Sequence, residues 1–410
     1  MIKPTVLSVL LYDKPIGTLT NLQNNRIFFA FNDSYINDSR RPTLGLGFKD
    51  EFGQLITDFR SYHTRIYPFF SNLLPEGHLR KYLAENAGVN PEQEFFLLQA
   101  LGNDLPGALR ICPFEEEIPF DISKPFENID DQDLDSNRKL RFSLAGIQLK
   151  FSAFQDAQGG LTIPGNGMGG SWIIKFPSHT YEAIPENEFS MMKLAAQIGI
   201  NVPNFRLVEV TSIANLPPGI GNHQGKAFVI ERFDRLSEGN RLVHIEDFAQ
   251  IFGIYPANKY EGATMRRLAK VLAAEGNETD LCEFIRRIVF NVLIGNGDMH
   301  LKNWSVIYPD RYTPSLAPAY DFLSTVPYIP GEDMALKVSR TKEFNEFTRN
   351  ELLHLADKSF IPKKLVLGTA METVELFHQV WTAEKKNLPM TANVRKAIET
   401  HLATIPIYQT

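Results

Sequence analysis

The chain has 410 residues, of which 43% are hydrophobic and 22% are charged, and its formal net charge is -6 at pH 7. This length exceeds that of one common core and indicates two or three lobes. The negative charge argues against a surface covered in phosphate-binding groups, and no stretch approaches the roughly 20 apolar residues of a membrane span. Because the only cysteines, Cys112 and Cys282, lie far apart, we expect a cytoplasmic protein without disulfides or zinc.

Residues 1–114 are expected to form a small α/β N-terminal subdomain. Three runs near the start, VLSVLLYD, GTLTNLQ and NRIFFAFND, alternate as an antiparallel sheet requires. Residues 69–88 predict one helix that stops at Gly88, and a second helix is predicted from Pro91 to Gly102. Residues 115–137 follow as an acidic linker or loop, since nine acidic residues and one lysine lie between positions 115 and 135.

The rest of the chain divides into a strand-rich part and a helical part. Residues 138–234 contain several strand-like runs and one predicted helix, 186–199. Residues 235–410 are dominated by predicted helices, which begin with 245–253, 264–276 and 280–295. A strand-rich lobe followed by a helical lobe is typical of protein kinases. The predicted class is therefore α+β, a bilobal protein-kinase-like fold with an additional N-terminal subdomain.

One polar segment carries the spacing of a kinase catalytic loop. Asp298 and Asn303 stand in a D-x(4)-N arrangement directly after an apolar helix that ends at Gly295. In kinases this aspartate orients or deprotonates the acceptor hydroxyl and the asparagine holds Mg²⁺. The alternative is a polar surface turn, since D-x(4)-N also arises by chance.

Two further charged residues fit a phosphoryl-transfer site. Asp321 follows Asn303 by eighteen residues, where a kinase places its main Mg²⁺ ligand, although Leu323 replaces the glycine of D-F-G. Lys175 lies inside an apolar strand, where an ammonium group is costly unless it is paired or reaches a ligand. Glu188, thirteen residues later, is its candidate partner, with Glu186 as the alternative. Lys175 as an edge lysine that blocks sheet extension also remains open.

Two glycine-containing segments compete for the role of holding phosphates. Residues 165–170 are richer in glycine, but no helix and no Gly-Lys-Ser/Thr follows them. They are interpreted as a hairpin turn that leads into the Lys175 strand. Residues 141–150, with one glycine among small residues between strands, are the other candidate.

In this order the motifs resemble the HipA family of bacterial serine/threonine kinase toxins. The likeness runs from the first strands to about residue 325. It rests on these segments: FFSNLLPEGHLR, GNDLPGAL, FSLAGIQLK, WIIKFP, FVIERFDR, HIEDFAQIFGI with Lys259-Tyr260-Glu261, NGDMHLKN and APAYDF.

The resemblance implies an ATP- and Mg²⁺-dependent enzyme and a role for each matching residue. The implied roles are ATP-phosphate binding by Lys175 and Lys150, adenine binding by the backbone around Glu231 and Phe233, ribose binding near Asp234, catalysis by Asp298, Mg²⁺ binding by Asn303 and Asp321, and autophosphorylation of Ser143. A phosphate on Ser143 adds roughly -1.5 to -2 charges beside the phosphates of ATP. We expect it to expel the loop and switch the enzyme off.

The resemblance also implies partners. Family members are toxins that phosphorylate a translation component, with an aminoacyl-tRNA synthetase as the type of target. A small HipB-like helix-turn-helix antitoxin neutralises them, and operator DNA is expected to be contacted through that antitoxin. Two other functions stay open, a small-molecule hydroxyl kinase of the aminoglycoside or choline type and a pseudokinase scaffold that binds an antitoxin.

Overall fold

The chain was analysed as a computed structural model. It describes the following residues: 5–22, 26–114, 150–156, 159–164, 169–178, 180–216, 224–236 and 241–409. The predicted acidic linker 115–137, Ser143 and most of the glycine-rich segment 165–170 lie outside these ranges.

The N-terminal subdomain is built on an antiparallel five-stranded sheet with the order β4-β3-β2-β1-β5. Its strands are β1 (Thr5–Leu11), β2 (Lys14–Asn21), β3 (Arg26–Phe31), β4 (Tyr62–His63) and β5 (Leu109–Pro113). The alternating runs place Leu7, Val9 and Leu11 on the buried face of β1, because side chains alternate along a strand. The predicted antiparallel sheet is thus present, with β5 added beside β1.

Four helices pack with this sheet: α1 (Asp33–Ile36), α2 (Pro68–Ser71), α3 (Gly77–Asn86) and α4 (Glu94–Leu101). The predicted single helix over 69–88 is wrong, since the chain leaves the helical path between α2 and α3. Pro75 lies in this break, where its missing N–H and ring interrupt helical hydrogen bonding. Glu76, the N-cap of α3, has an extended backbone, with φ -117° and ψ 166°. The break turns residues 72–76 into a loop.

The strand-rich lobe contains a six-stranded sheet with the order β10-β7-β6-β8-β11-β9. Its elements are β6 (Lys150–Gln155), β7 (Leu161–Thr162), β8 (Trp172–Lys175), α5 (Ile184–Gln197), β9 (Phe205–Glu209), β10 (Ile213–Ala214) and β11 (Lys226–Glu231). The strand β8 is central and pairs antiparallel with both β6 and β11. Helix α5 packs against β11 and β9. A short ribbon, β12 (Arg235–Leu236) with β13 (Arg241–Leu242), leads into the next lobe.

The helical lobe surrounds helix α8, which is buried from Arg287 to Ile294. Its elements are β14 (His244–Asp247), α6 (Phe248–Ile251), α7 (Met265–Glu275), α8 (Glu278–Ile294), β15 (Ser305–Tyr308), β16 (Ser315–Leu316), α9 (Arg349–Ser359), α10 (Lys363–Glu384) and α11 (Ala392–Leu402). The predicted helix 245–253 begins only at Phe248, since residues 244–247 pair with β15. Asp247 caps the helix through a capping box with Gln250.

The fold is therefore α+β and bilobal, of the kinase type, with an additional α/β subdomain. One buried apolar cluster lies in the N-terminal subdomain and a second on one face of the sheet of the strand-rich lobe, while a third joins the helical lobe to α5 and to the other face of β11. Tyr82 of α3 packs on Phe151 of β6, with ring centroids 5.7 Å apart, so the subdomain also covers the sheet of the strand-rich lobe. Among the described helices, none combines the length and apolar character that crossing a membrane requires.

Candidate active site

The ammonium group of Lys175 lies between two carboxylates. Its Nζ donates to Glu188 Oε1 at 2.5 Å and also pairs with Asp321. Lys175 is held on the central strand β8, and Glu188 projects from α5 about one turn after the first residue of that helix, Ile184. The structure thus brings together three of the residues that the sequence singled out, from the strand, the helix and the loop that follows β16.

Burial and charge oppose each other in this cluster. Burial alone would lower the pKa of Lys175, but the carboxylates of Asp321 and Glu188 raise it above its usual value. Burial acts to raise the pKa of Asp321, and the cations Lys175 and Lys150 overcome it, so that this pKa is lowered. Burial prevails for Glu188 and raises its pKa. The result is a protonated lysine beside an ionised Asp321.

The backbone of Asp321 has an unusual conformation that aims its carboxylate at Lys175. Its φ is 57°, in the left-handed region, which aspartate tolerates better than most residues. The flanking rings fix the turn. Phe322 is buried against Phe290, with centroids 4.9 Å apart, and the Tyr320 hydroxyl donates to the backbone oxygen of Lys302 at 2.9 Å.

The loop with Asp298 emerges from the buried end of α8. Gly295 ends the helix with φ 63°, a conformation that glycine adopts without strain. Asn296 is buried, and its Oδ1 accepts the N–H of Asp298 at 3.0 Å. Asn303 Nδ2 donates to the backbone oxygen of Asp298 at 2.9 Å. Asp298 is itself exposed, while its neighbours Gly297 and Met299 are buried. The loop therefore presents one carboxylate to an incoming group.

A tyrosine contacts this carboxylate. The Tyr260 hydroxyl donates to Asp298 Oδ1 at 2.6 Å, and the ring of Tyr260 meets that of His300 edge to face at 5.0 Å. The surrounding groups desolvate Asp298 and raise its pKa, whereas the hydrogen bond from Tyr260 and the charge of Lys259 act to lower it. Burial lowers the pKa of His300 to about 3. His300 is therefore a neutral packing residue.

Asn303 and Asp321 have the donor types that suit Mg²⁺. A carboxylate and an amide oxygen are hard ligands of the kind that this cation prefers. Since the amide nitrogen of Asn303 is committed to Asp298, its oxygen is the end that would face a cation. Asp321 stays ionised beside Lys175, as a metal ligand must. The residues present fit the ion.

Lys150 lies next to the Lys175 cluster. Its Cα is opposite that of Lys175 in the antiparallel β6–β8 pair, and paired residues of neighbouring strands share one face of the sheet. The side chain of Lys150 is exposed. Its phosphate contact stays a prediction, as does the modification of Ser143, which lies outside the described residues.

The segment after β11 connects the two lobes. The Glu231 N–H donates to the backbone oxygen of Asn204 at 2.8 Å, so this donor is already used. Phe233 is half-buried, and its ring centroid lies 5.8 Å from that of Tyr320. Adenine binding by the backbone around Glu231 and Phe233 stays a prediction.

Asp234 takes part in a buried network between the lobe connection and the N-terminal subdomain. Its carboxylate accepts from Arg232 and Arg235 and from the Gly107 N–H, the last at 2.8 Å. Both arginines also pair with Asp104, at 3.4 and 3.2 Å. The ribose contact of Asp234 stays a prediction, since these partners already engage its carboxylate.

Four residues near Asp298 were not singled out as functional from the sequence: Glu76, Lys259, Tyr260 and Lys302. They lie in or beside segments that carry the family resemblance. The sequence does not indicate Glu76 as functional, because the spacing over 69–88 predicts one continuous helix there. Lys259 and Lys302 both pair with Glu76, each at 2.9 Å.

Comparisons with known proteins agree with this fold. Residues 142–381 match the family described as "HipA-like C-terminal domain", and residues 7–112 match the family described as "HipA N-terminal domain". The Sinorhizobium fredii protein named "Putative kinase Y4dM" is 55% identical over 100% of this chain and 99% of its own length. The "Serine/threonine-protein kinase toxin HipA" of Shewanella oneidensis is 28% identical over 74% of this chain and 73% of its own.

A solved structure shows the same fold. It is a chain of the Shewanella oneidensis toxin–antitoxin complex of HipA, HipB and operator DNA, with a TM-score of 0.72 and 23% identity. The match covers 98% of this chain and 96% of that one. From the two matching domains and the 55% identical relative, this chain is a member of the HipA family.

Proposed function

We propose that this protein is an ATP- and Mg²⁺-dependent serine/threonine protein kinase that acts as a growth-inhibiting toxin. The observation that carries the proposal is the joint presence of the Lys175–Glu188–Asp321 cluster and an exposed Asp298 on the loop of Asn303. Relatives named as kinases support it.

Each residue has a task in the transfer. Lys175 holds the phosphates of ATP, with Lys150 beside it, and Glu188 fixes the direction of the Lys175 ammonium group. Bound Mg²⁺, held by Asn303 and Asp321, would neutralise charge on the phosphates. The acceptor hydroxyl attacks the γ-phosphorus, the bond to the β-phosphate oxygen breaks, and ADP leaves. Asp298 orients the hydroxyl and receives its proton.

The proposed partners follow from the family. The proposed substrate is a protein component of translation, such as an aminoacyl-tRNA synthetase. A HipB-like antitoxin binds the kinase and contacts operator DNA. The relative solved together with HipB and operator DNA supports this assignment. Autophosphorylation of Ser143 is proposed to inactivate the enzyme by bringing negative charge to the ATP phosphates.

Intact-mass measurement before and after incubation with Mg-ATP tests the proposal. The matched variants are Asp298→Asn, which keeps the shape of the side chain, and Ser143→Ala. We expect wild type to gain one phosphoryl group on Ser143, Asp298→Asn to gain none, and Ser143→Ala to keep ATP turnover. ATP binding without self-modification would direct the search to small hydroxyl acceptors. Absence of both ATP binding and phosphoryl gain would favour a scaffold that only binds an antitoxin.

A further inference from the structure

The loop between α2 and α3 reaches from the N-terminal subdomain to the catalytic loop. Glu76 lies at the end of this loop, and its two carboxylate oxygens bind different lysines. Oε1 pairs with Lys302 and Oε2 with Lys259, each at 2.9 Å. Lys302 is the residue before Asn303, and Lys259 precedes Tyr260. One carboxylate of the subdomain thus joins two separate segments of the helical lobe.

Both lysines continue the connection toward Asp298. The backbone oxygen of Lys259 accepts the N–H of Leu301 at 3.2 Å. Tyr260, the next residue, donates its hydroxyl to Asp298 Oδ1 at 2.6 Å. A path of direct contacts therefore leads from Glu76 through Lys259 and Tyr260 to the side chain that is proposed to orient the acceptor.

A second path leads through Lys302. Its Nζ donates to the backbone oxygen of Asn72 at 2.9 Å, in addition to pairing with Glu76. The Lys302 side chain is 15% exposed, and both of its side-chain partners, Glu76 and Asn72, belong to the loop between α2 and α3. The two paths thus contact the catalytic loop at Asp298 and at Lys302, on its N-terminal and C-terminal parts.

Glu76 also separates two like charges. Without it, the ammonium groups of Lys259 and Lys302 would face each other near the catalytic loop. Burial acts to raise the pKa of Glu76, and the two lysines overcome it and lower the pKa to about 2. The carboxylate is consequently ionised at any pH at which the enzyme would work.

We propose that Glu76 is a positioning residue for phosphoryl transfer. Through its contacts with Lys259 and Lys302, the N-terminal subdomain holds Asp298 and Asn303 in the positions that transfer requires. This inference rests on the proposed kinase function. The Glu76 side chain is 34% exposed, and its partners Lys259 and Lys302 are 20% and 15% exposed, so removing its charge is expected to lower global stability as well as the rate. The rate of transfer falls because a misplacement of about 1 Å can cost on the order of 100-fold.

The test compares Glu76→Gln with Glu85→Gln, which makes the same charge change at an exposed site of the same subdomain. We expect Glu76→Gln to lower kcat for Mg-ATP turnover by roughly 10- to 100-fold, with wild-type affinity for ATP and a melting temperature that stays well above the assay temperature. Glu85→Gln should match wild type in all three, and Glu76→Asp should recover part of kcat. In the double variant of Lys302→Met and Glu76→Gln, the loss of kcat expressed as a free energy should be smaller than the sum of the two single losses, because both residues act through one contact.

Hydrogen exchange of residues 296–303 supplies a readout that needs no activity. We expect faster exchange in Glu76→Gln than in Glu85→Gln. If kcat of Glu76→Gln equals that of wild type, the proposal is overturned whatever the exchange shows. If wild type itself transfers no phosphoryl group, the proposed function fails, and the exchange then decides on the positioning contact. Faster exchange supports the contact and unchanged exchange overturns it.

Discussion

Replacing Lys175 by methionine tests the charge balance of the site. Methionine has a similar length, so the change removes the cation and largely keeps the packing. It leaves the Glu188 carboxylate, whose side chain is 2% exposed, without the ammonium group that is hydrogen-bonded to it. The Asp321 side chain is 28% exposed and can turn toward water, so most of the cost falls on Glu188. Stranding one charge of a buried pair costs about 3–5 kcal/mol of unfolding free energy.

The loss of unfolding free energy in Lys175→Met depends on pH in a defined direction. Removing Lys175 removes a charge that lowers the pKa of Glu188, so the folded-state pKa rises further above the unfolded value. A group whose folded pKa is raised contributes stability that is present below its unfolded pKa and is lost as pH rises through its folded pKa. The variant should therefore lie closest to wild type in acid and fall furthest below it at alkaline pH.

Urea unfolding followed by tryptophan fluorescence, at about pH 5 and about pH 8, measures both effects. Lys193→Met is the matched control, because Lys193 lies on α5 with a 40% exposed side chain, 3.9 Å from Glu384. Such a surface pair contributes about 0–1 kcal/mol. Adding Glu188→Gln to Lys175→Met should restore part of the stability, since it removes the stranded carboxylate. A loss at about pH 8 no larger than that of Lys193→Met would refute this reasoning.

Three further changes have defined outcomes. Tyr260→Phe removes a hydrogen bond that lowers the pKa of Asp298, so the acid limb of the kcat–pH profile should move to higher pH, and an unmoved limb would contradict it. Asp321→Asn keeps a residue that accepts φ 57° but removes the charge, so Mg²⁺-dependent ATP turnover should be lost while the melting temperature falls less than in Asp321→Ala. Wild-type turnover in Asp321→Asn would exclude the proposed metal role. Burial raises the pKa of Glu246 to about 8, so its contribution to stability is complete in acid and lost as pH rises through about 8. As pH rises through about 8, the melting temperature of Glu246→Gln should therefore fall less than that of wild type. An equal fall in both proteins would contradict the raised pKa of Glu246.

Local sequence was enough to predict much of the architecture. Alternating apolar residues predicted β1 to β3, and apolar spacing with Gly199 and Gly295 predicted α5 and α8 with their ends. These signals are local, because side-chain periodicity and glycine at positive φ depend on neighbours in the chain. The linear order Lys175, Glu188, Asp298, Asn303 and Asp321 likewise indicated a kinase-like site before any contact was known.

Two predicted helices differ from the structure. The segment 69–88 has helical spacing, yet it breaks around Pro75 and places Glu76 against the helical lobe. The start of the predicted helix 245–253 pairs as a strand instead, since β15 offers its hydrogen-bonding edge. The first break has a local cause, because Pro75 interrupts helical hydrogen bonding. In the second case a partner that is distant in the chain decides the local conformation.

The amino-acid sequence by itself determined the fold class and the chemical types of the site residues. Only the tertiary structure decided which charges meet. Lys175 touches both Glu188 and Asp321, the latter 146 positions away, and Glu76 reaches Lys259 across 183 positions. Asp234 joins Asp104 through two arginines. The physical reason is that an ion pair depends on distance and burial in space, and neither follows from spacing along the chain.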